Sequence, residues 1–103
     1  MVEDKPWSWR RGHVWHNSGV VGFIDKPIIL RQWVSATKNN KDQVGDQEVL
    51  DKILSPITKI SLIKDLPNEW NVLRLQLNDG YKGNIKIMHW TGQKGKEKIR
   101  SML

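Results

Sequence analysis

The sequence predicts one domain that is built mainly from β-strands and closed by a single C-terminal helix. Apolar and polar residues alternate from position 72 to 78, which is the period of a half-buried strand. Asp79-Gly80 follows, and this dipeptide favours a tight hairpin turn. Residues 94–103 carry apolar side chains at helical spacing on a basic background. These three observations predict a hairpin with a helix packed against it.

Further strands are predicted earlier in the chain from β-branched content and period-two patterning. The proline in Asp25-Lys26-Pro27 favours a turn between the first two, and residues 66–69 favour another turn. We therefore expect a strongly bent antiparallel sheet. The predicted strands are residues 20–24, 28–36, 57–63, 72–78 and 81–90.

The middle of the chain is less regular. Residues 37–47 are polar and are predicted to form a loop. Residues 49–54 fit either a short helix capped by Asp46 or a strand. Pro56 is expected to end whichever element precedes it.

Alternating residues and the helical stripe together predict one shared core. The last helix reaches its final residue without a C-cap signal, which leaves open that this domain belongs to a longer protein. The predicted core residues are Leu73, Leu75, Leu77, Ile85, Ile87, Ile99 and Leu103.

Length and composition indicate one soluble domain, spanning residues 1–103. The hydrophobic fraction is 38% and the charged fraction 27%, which suits a folded protein. There is no cysteine, so disulfides, thiolate zinc sites and cysteine nucleophiles are excluded. No apolar run reaches the roughly 18 residues of a membrane span. We expect a cytoplasmic protein, with peripheral membrane contact as one option.

Positive charge is concentrated near the C-terminus. The net charge is +6, and residues 80–103 hold six basic residues against the single acid Glu97. Such a one-sided field attracts phosphates, anionic lipid or an acidic protein surface. The alternative is an ordinary solvated, lysine-rich surface.

Catalytic and metal motifs are weak, so no enzyme activity, cofactor or metal site is predicted. Gly95-Lys96-Glu97 lacks the other residues of a phosphate loop. His13 and His16 have no evident third ligand. His89 lies in a predicted strand, where a structural histidine is favoured over a catalytic base.

Six tryptophans are the most unusual feature of the composition. Trp15 and Trp33 are predicted to pack under the sheet, while Trp7 and Trp9 flank Arg10-Arg11. Aromatic residues beside cations are found at protein interfaces and in proteins that bind single-stranded nucleic acid. The alternative is that about four of the six tryptophans fill the core.

The second half of the chain, SPITKISLIKDLPNEWNVLRLQLNDGYKGNIKIMHWTGQKGKEKIRSML, resembles the second half of the pleckstrin-homology (PH) superfamily. The resemblance lies in the meander, the Asp-Gly hairpin and the capping helix. The stretch VWHNSGVVGFIDKPIIL at residues 14–30 is similar to the start of the GLUE domain of the ESCRT-II complex. The resemblance implies a PH-like sheet or barrel capped by one helix.

GLUE domains bind ubiquitin and phosphoinositides, so the resemblance implies those partners and a role in ESCRT-type protein transport. No lipid-binding arginine aligns residue by residue, so the resemblance implies a protein partner before a lipid. Two alternatives stay open. One is a basic, tryptophan-rich nucleic-acid-binding domain, and the other is a PH-like scaffold of a transcription or chromatin complex that binds acidic peptides.

The expected partner site lies where the last strand meets the C-terminal helix. Met88 and Trp90 have the opposite parity to Ile85 and Ile87, so they are predicted to be exposed. The alternative is that Trp90 packs under the start of the helix. The partner-binding residues are predicted to be Met88, Trp90, Lys94 and Lys98, and the anion- or lipid-binding residues Arg10, Arg11, Lys82, Lys86 and Lys96.

Overall fold

The structure is a computed structural model that describes residues 1–41 and 44–103. It is 51% helical, with 8% strand in two small sheets. No described helix is long and apolar enough to cross a bilayer. The elements in chain order are β1 (Val2–Glu3), α1 (Lys5–Arg11), β2 (His16–Asn17), α2 (Ile28–Lys38), α3 (Asp46–Ile53), α4 (Pro56–Leu62), a 3₁₀ helix (Asn68–Trp70), β3 (Val72–Leu73), α5 (Arg74–Asn78), β4 (Met88–His89) and α6 (Gly92–Met102).

The predicted mainly-β, PH-like fold is therefore wrong: the described residues form six α-helices and no closed barrel. Helix α2 occupies the predicted strand 28–36. Its half-buried apolar residues are Ile29, Leu30, Trp33 and Ala36. This spacing follows the helical period of 3.6 and not the strand period of two. Residues 20–24, another predicted strand, belong to no strand.

Helix α4 replaces the predicted strand 57–63. Ser55 caps it by accepting a hydrogen bond from the Thr58 amide at 3.1 Å, and Pro56 occupies its first turn, where a missing amide costs nothing. Pro56 thus starts a helix rather than ending an element. Residues 49–54, for which the sequence left helix and strand open, lie mostly in the helix α3. The N-cap of this helix is Gly45 and not Asp46.

The predicted hairpin is absent because its first strand ends after two residues. β3 pairs with β4 in parallel, with Val72 opposite Met88 and Leu73 opposite His89. The chain then turns directly into α5. Gln76 Oε1 accepts a hydrogen bond from the Leu73 amide at 3.0 Å, which favours a helical turn at this point. Gly80 has the positive φ expected of it, +89°, but it follows a helix instead of joining two strands.

The C-terminal helix is confirmed as α6, although its apolar stripe is not buried. Ile99 is 42% exposed and Leu103 is fully exposed. Of the predicted core, only Leu73 is buried. The predicted burial of Leu75, Leu77, Ile85 and Ile87 depended on the strand register, and that of Ile99 and Leu103 on packing of the helical stripe. The buried apolar residues of the described chain are Val2, Trp15, Val49, Leu50, Leu54, Val72 and Leu73.

A buried polar network crosses this small core. The Asp4 carboxylate accepts hydrogen bonds from Asn17 Nδ2 at 3.1 Å and from Gln47 Nε2 at 3.0 Å. Asn17 Oδ1 in turn accepts from Asn71 Nδ2 at 2.8 Å. The network links the N-cap of α1, β2 and α3 to the residue that precedes β3. Asn71 Oδ1 is buried and has no described partner, while the other groups named here are paired. Paired buried polar groups help to define a single packing arrangement.

Candidate functional site

The junction between β4 and α6 combines free backbone donors with positive charge. Helix α6 has Thr91 as its N-cap, and the Thr91 side chain makes no capping hydrogen bond. The first intrahelical bond runs from the Gly95 amide to the Thr91 carbonyl at 3.1 Å. The amides of Gly92, Gln93 and Lys94 precede that bond, so they have no acceptor inside the helix. They form a set of donors at the positive end of the helix dipole.

The charges around this helix start have the same sign as the dipole. There is no acidic residue in the first turn, and Lys94, which lies in that turn, is exposed. Arg74 approaches from the start of α5, and its Nε donates to the Thr91 carbonyl at 3.1 Å. A cation at a helix N-terminus is unfavourable on its own. A bound anion would relieve that repulsion.

His89 lies beside this junction in β4 and contacts the segment that follows β2. A Cβ on Gly19 would lie 2.6 Å from His89 Nδ1, so only glycine allows the ring to sit there. His89 Nδ1 is buried, and no described residue is its hydrogen-bond partner. The ring therefore has unused hydrogen-bonding capacity beside Gly19.

The predicted partner-binding residues lie on or next to α6. Met88 and Trp90 are half-buried, whereas Lys94 and Lys98 are exposed. Because residues four apart share one face of a helix, the two lysines lie on the same side of α6. Trp90 is also in contact with the helix, since a Cβ on the buried Gly95 would overlap the Trp90 carbonyl.

The predicted anion-binding residues are spread over three parts of the chain. Lys96 is two positions from both Lys94 and Lys98, which places it on another side of α6. Lys82 is exposed between α5 and β4. Lys86 is engaged with its neighbours, since its Nζ lies 3.5 Å from Glu69 Oε1 and 4.4 Å from the centre of the Trp70 ring.

The two arginines of α1 belong to an aromatic cluster. The Arg11 guanidinium lies 4.9 Å from the centre of the Trp7 ring and 5.5 Å from that of Trp15. Arg10 lies 5.8 Å from Trp7. Trp15 is buried, as predicted, while Trp9 on the same helix is 85% exposed. Cation–π contacts of this kind order the arginines and leave Trp9 available to solvent.

The two histidines near the N-terminus contact different carboxylates. His13 Nε2 lies 3.2 Å from both oxygens of Asp51, which also accepts a hydrogen bond from the buried Lys59. His16 Nε2 lies 2.5 Å from Asp65 Oδ1. Within residues 1–41 and 44–103 no three metal-ligating side chains of the His, Cys, Asp or Glu type come together.

Sequence reasoning placed the basic helix but missed Arg74 and His89 as members of this site. Arg74 comes close to it because β3 pairs in parallel with β4, whereas His89 directly precedes Trp90 in the chain. Arg74 lies inside the predicted strand 72–78, but the sequence does not indicate its contact with Thr91. Comparison of the chain with protein-family models, curated proteins and solved structures found no match to any of them.

Proposed function

We propose that this protein is a binding module rather than an enzyme, and that it binds a phosphate-bearing ligand at the start of α6. One observation carries the proposal. The first-turn amides of α6 lack a side-chain cap, and Lys94 and Arg74 surround them with positive charge. Amide donors and cations together favour a phosphate group over a neutral ligand.

The ligand chemistry is a phosphate group, which a free anion or a lipid head group can supply. The ubiquitin, phosphoinositide and ESCRT expectations rest on the family resemblance alone, and we keep them as predictions. The +6 charge of the chain supports an anionic ligand. We include a cytoplasmic location, with peripheral membrane contact, in the proposal.

The test is an NMR titration of ¹⁵N-labelled protein with sodium phosphate, with sodium chloride at matched ionic strength as the control. Phosphate is expected to shift the amides of residues 91–94 more than chloride does. Inositol 1,4,5-trisphosphate then tests a lipid head group, and ubiquitin tests the protein partner. No phosphate-specific shift at residues 91–94 would contradict the proposal.

Two matched variants separate a local site from general charge. Lys94→Gln removes one cation at the start of α6, while Lys38→Gln removes one from α2. We expect Lys94→Gln to weaken phosphate binding several-fold and Lys38→Gln to leave it nearly unchanged, because screening limits surface charges to roughly 8–10 Å. Equal losses in both variants would indicate non-specific attraction.

A second candidate is single-stranded nucleic acid, which the surface of α1 favours. Trp9 is 85% exposed and is followed by Arg10 and Arg11, so a base could stack on the indole while the arginines contact phosphates. Adding a thymidine decamer should then quench tryptophan fluorescence, and Trp9→Ala should remove most of that change. Unchanged quenching in Trp9→Ala would exclude this surface.

A further inference from the structure

Helix α2 leaves most of its apolar surface uncovered. None of its described residues is buried, and its apolar residues Ile28 and Val34 are 73% and 55% exposed. Its N-cap residue, Pro27, makes no side-chain hydrogen bond. An isolated helix of about this length is marginal in water, so packing has to stabilise it. Trp33 supplies part of this packing on one side of α2, where its Nε1 donates a hydrogen bond to the Asp46 carbonyl at 2.8 Å.

The other side of α2 and the segment that precedes it form an open groove of about 450 Å³. We call it the α2 groove. Its apolar lining includes Phe23, Leu30 and Val34, and Phe23 is 62% exposed. The same groove is lined by the cations Lys26, Arg31 and Lys38, and by no carboxylate among the residues that the structure describes. Apolar surface bordered by charge is typical of a protein interaction site.

The total surface of the chain is consistent with a missing partner. The accessible area is 7594 Å². Folded monomers of 12.0 kDa expose about 6,000 Å² by the usual scaling with mass. The difference is about twice the roughly 800 Å² that a standard protein–protein interface buries on one partner, so the chain exposes more than enough surface for such an interface.

We propose that the α2 groove binds a segment of a partner protein whose apolar side chains are flanked by carboxylates. Charge complementarity selects this occupant. A second copy of the chain would bring two sets of cations together across a twofold axis, which is unfavourable. A lipid surface is the occupant that the vesicle experiment tests. The site is independent of the phosphate ligand proposed for α6.

The test uses a synthetic 14-residue peptide that contains only Leu, Phe and Glu, with the apolar residues at helical spacing. Isothermal titration calorimetry is expected to detect binding to the full chain. A matched peptide with Lys in place of Glu should bind at least about tenfold more weakly, because it meets Lys26, Arg31 and Lys38 with like charge. Equal binding of the two peptides would overturn the proposal.

Variants of the protein locate the site. Val34→Asp and Phe23→Ala change exposed apolar residues of the groove, and each should reduce peptide affinity about tenfold. Ile60→Ala is the control, since Ile60 is 84% exposed on α4 and does not line the groove. Val34→Asp could unfold part of α2, which would lower the helical circular dichroism signal. Phe23 lies outside the helix, so Phe23→Ala tests the groove without that effect. Unchanged affinity in Phe23→Ala would overturn the proposal.

Two other occupants have distinct results. Concentration-dependent dimerisation in analytical ultracentrifugation that Phe23→Ala abolishes would assign the groove to a second copy. Binding to vesicles of phosphatidylserine and phosphatidylcholine that Phe23→Ala abolishes, with no peptide binding, would assign it to a membrane. Either result would overturn the proposed acidic protein partner.

Discussion

Asn71 Nδ2 donates a hydrogen bond to Asn17 Oδ1 at 2.8 Å, joining two residues that are 54 positions apart in the chain. Asn71 is fully buried and Asn17 is 5% exposed. The Asn17 oxygen also accepts from the Gly19 amide at 2.8 Å, so one buried acceptor fixes both the loop after β2 and the residue before β3. This contact connects the N-terminal and C-terminal parts of the fold without an apolar side chain.

Asn71→Ala is expected to destabilise the protein more than an ordinary surface change. It removes one of the two donors to the buried Asn17 oxygen, and a hydrogen bond of this kind contributes about 0.5–1.5 kcal/mol net. Urea unfolding followed by circular dichroism measures the loss. Asn78→Ala is the control, because Asn78 is exposed at the end of α5, and it should change stability by less than about 0.5 kcal/mol. Similar effects of both changes would show that the buried link is unimportant.

Gly95→Ala is expected to disrupt the β4–α6 junction. The added Cβ would overlap the Trp90 carbonyl, which is backbone and cannot move aside as a side chain can. We expect both a lower midpoint of thermal unfolding and a loss of phosphate-specific amide shifts at residues 91–94. Gly22→Ala is the matched control, since nothing lies within 4 Å of its Cβ position. A Gly95→Ala protein as stable as wild type would contradict this packing.

Asp51 and Lys59 should respond unequally to substitution. Lys59 is buried, and its Nζ donates to Asp51 and to the Val14 carbonyl. Asp51→Ala leaves the lysine charge buried with no carboxylate, which typically costs about 3–5 kcal/mol. Lys59→Met replaces that charge with an apolar chain of similar length, so we expect a smaller loss. Chemical denaturation of both variants measures the difference, and a larger loss in Lys59→Met would contradict it.

Leu73→Ala tests the core that the structure defines. Leu73 is 4% exposed, and removing a buried leucine side chain costs about 2–5 kcal/mol. Ile99→Ala is the comparison, because Ile99 is 42% exposed on α6 and should cost much less. The strand-based core predicted equal burial of these two residues. Equal losses of stability would favour that core over the one described.

Part of the helical fold could be predicted from local sequence. The half-buried positions of α2 are 29, 30, 33 and 36, and this helical spacing competes with the alternating pattern in the same segment. The Ser55-Pro56 start of α4 is likewise a local capping signal. Both signals were outweighed by β-branched content, whereas α6 was predicted correctly from its own stripe.

The rest depends on contacts between distant residues. Alternating leucines predict a strand through residue 78, yet Gln76 Oε1 lies 3.0 Å from both the Leu73 amide and Asn68 Nδ2, in a helical turn. No period in the sequence reveals that arrangement. For the same reason the lysines of α6 could be placed from sequence, but the contact of Arg74 with Thr91 could not. That contact follows from the parallel pairing of β3 and β4.

That parallel pairing also has a consequence for how the molecule opens. The amide of Val72 donates to the Ile87 carbonyl at 2.9 Å, and Val72 is fully buried. Helix α5 and the following loop separate the two strands, so the pair re-forms only after that whole segment closes. We expect the Val72 amide to exchange its hydrogen with deuterated solvent among the slowest in the chain. Its exchange rate would then measure cooperative opening of the C-terminal half rather than fraying of a single strand.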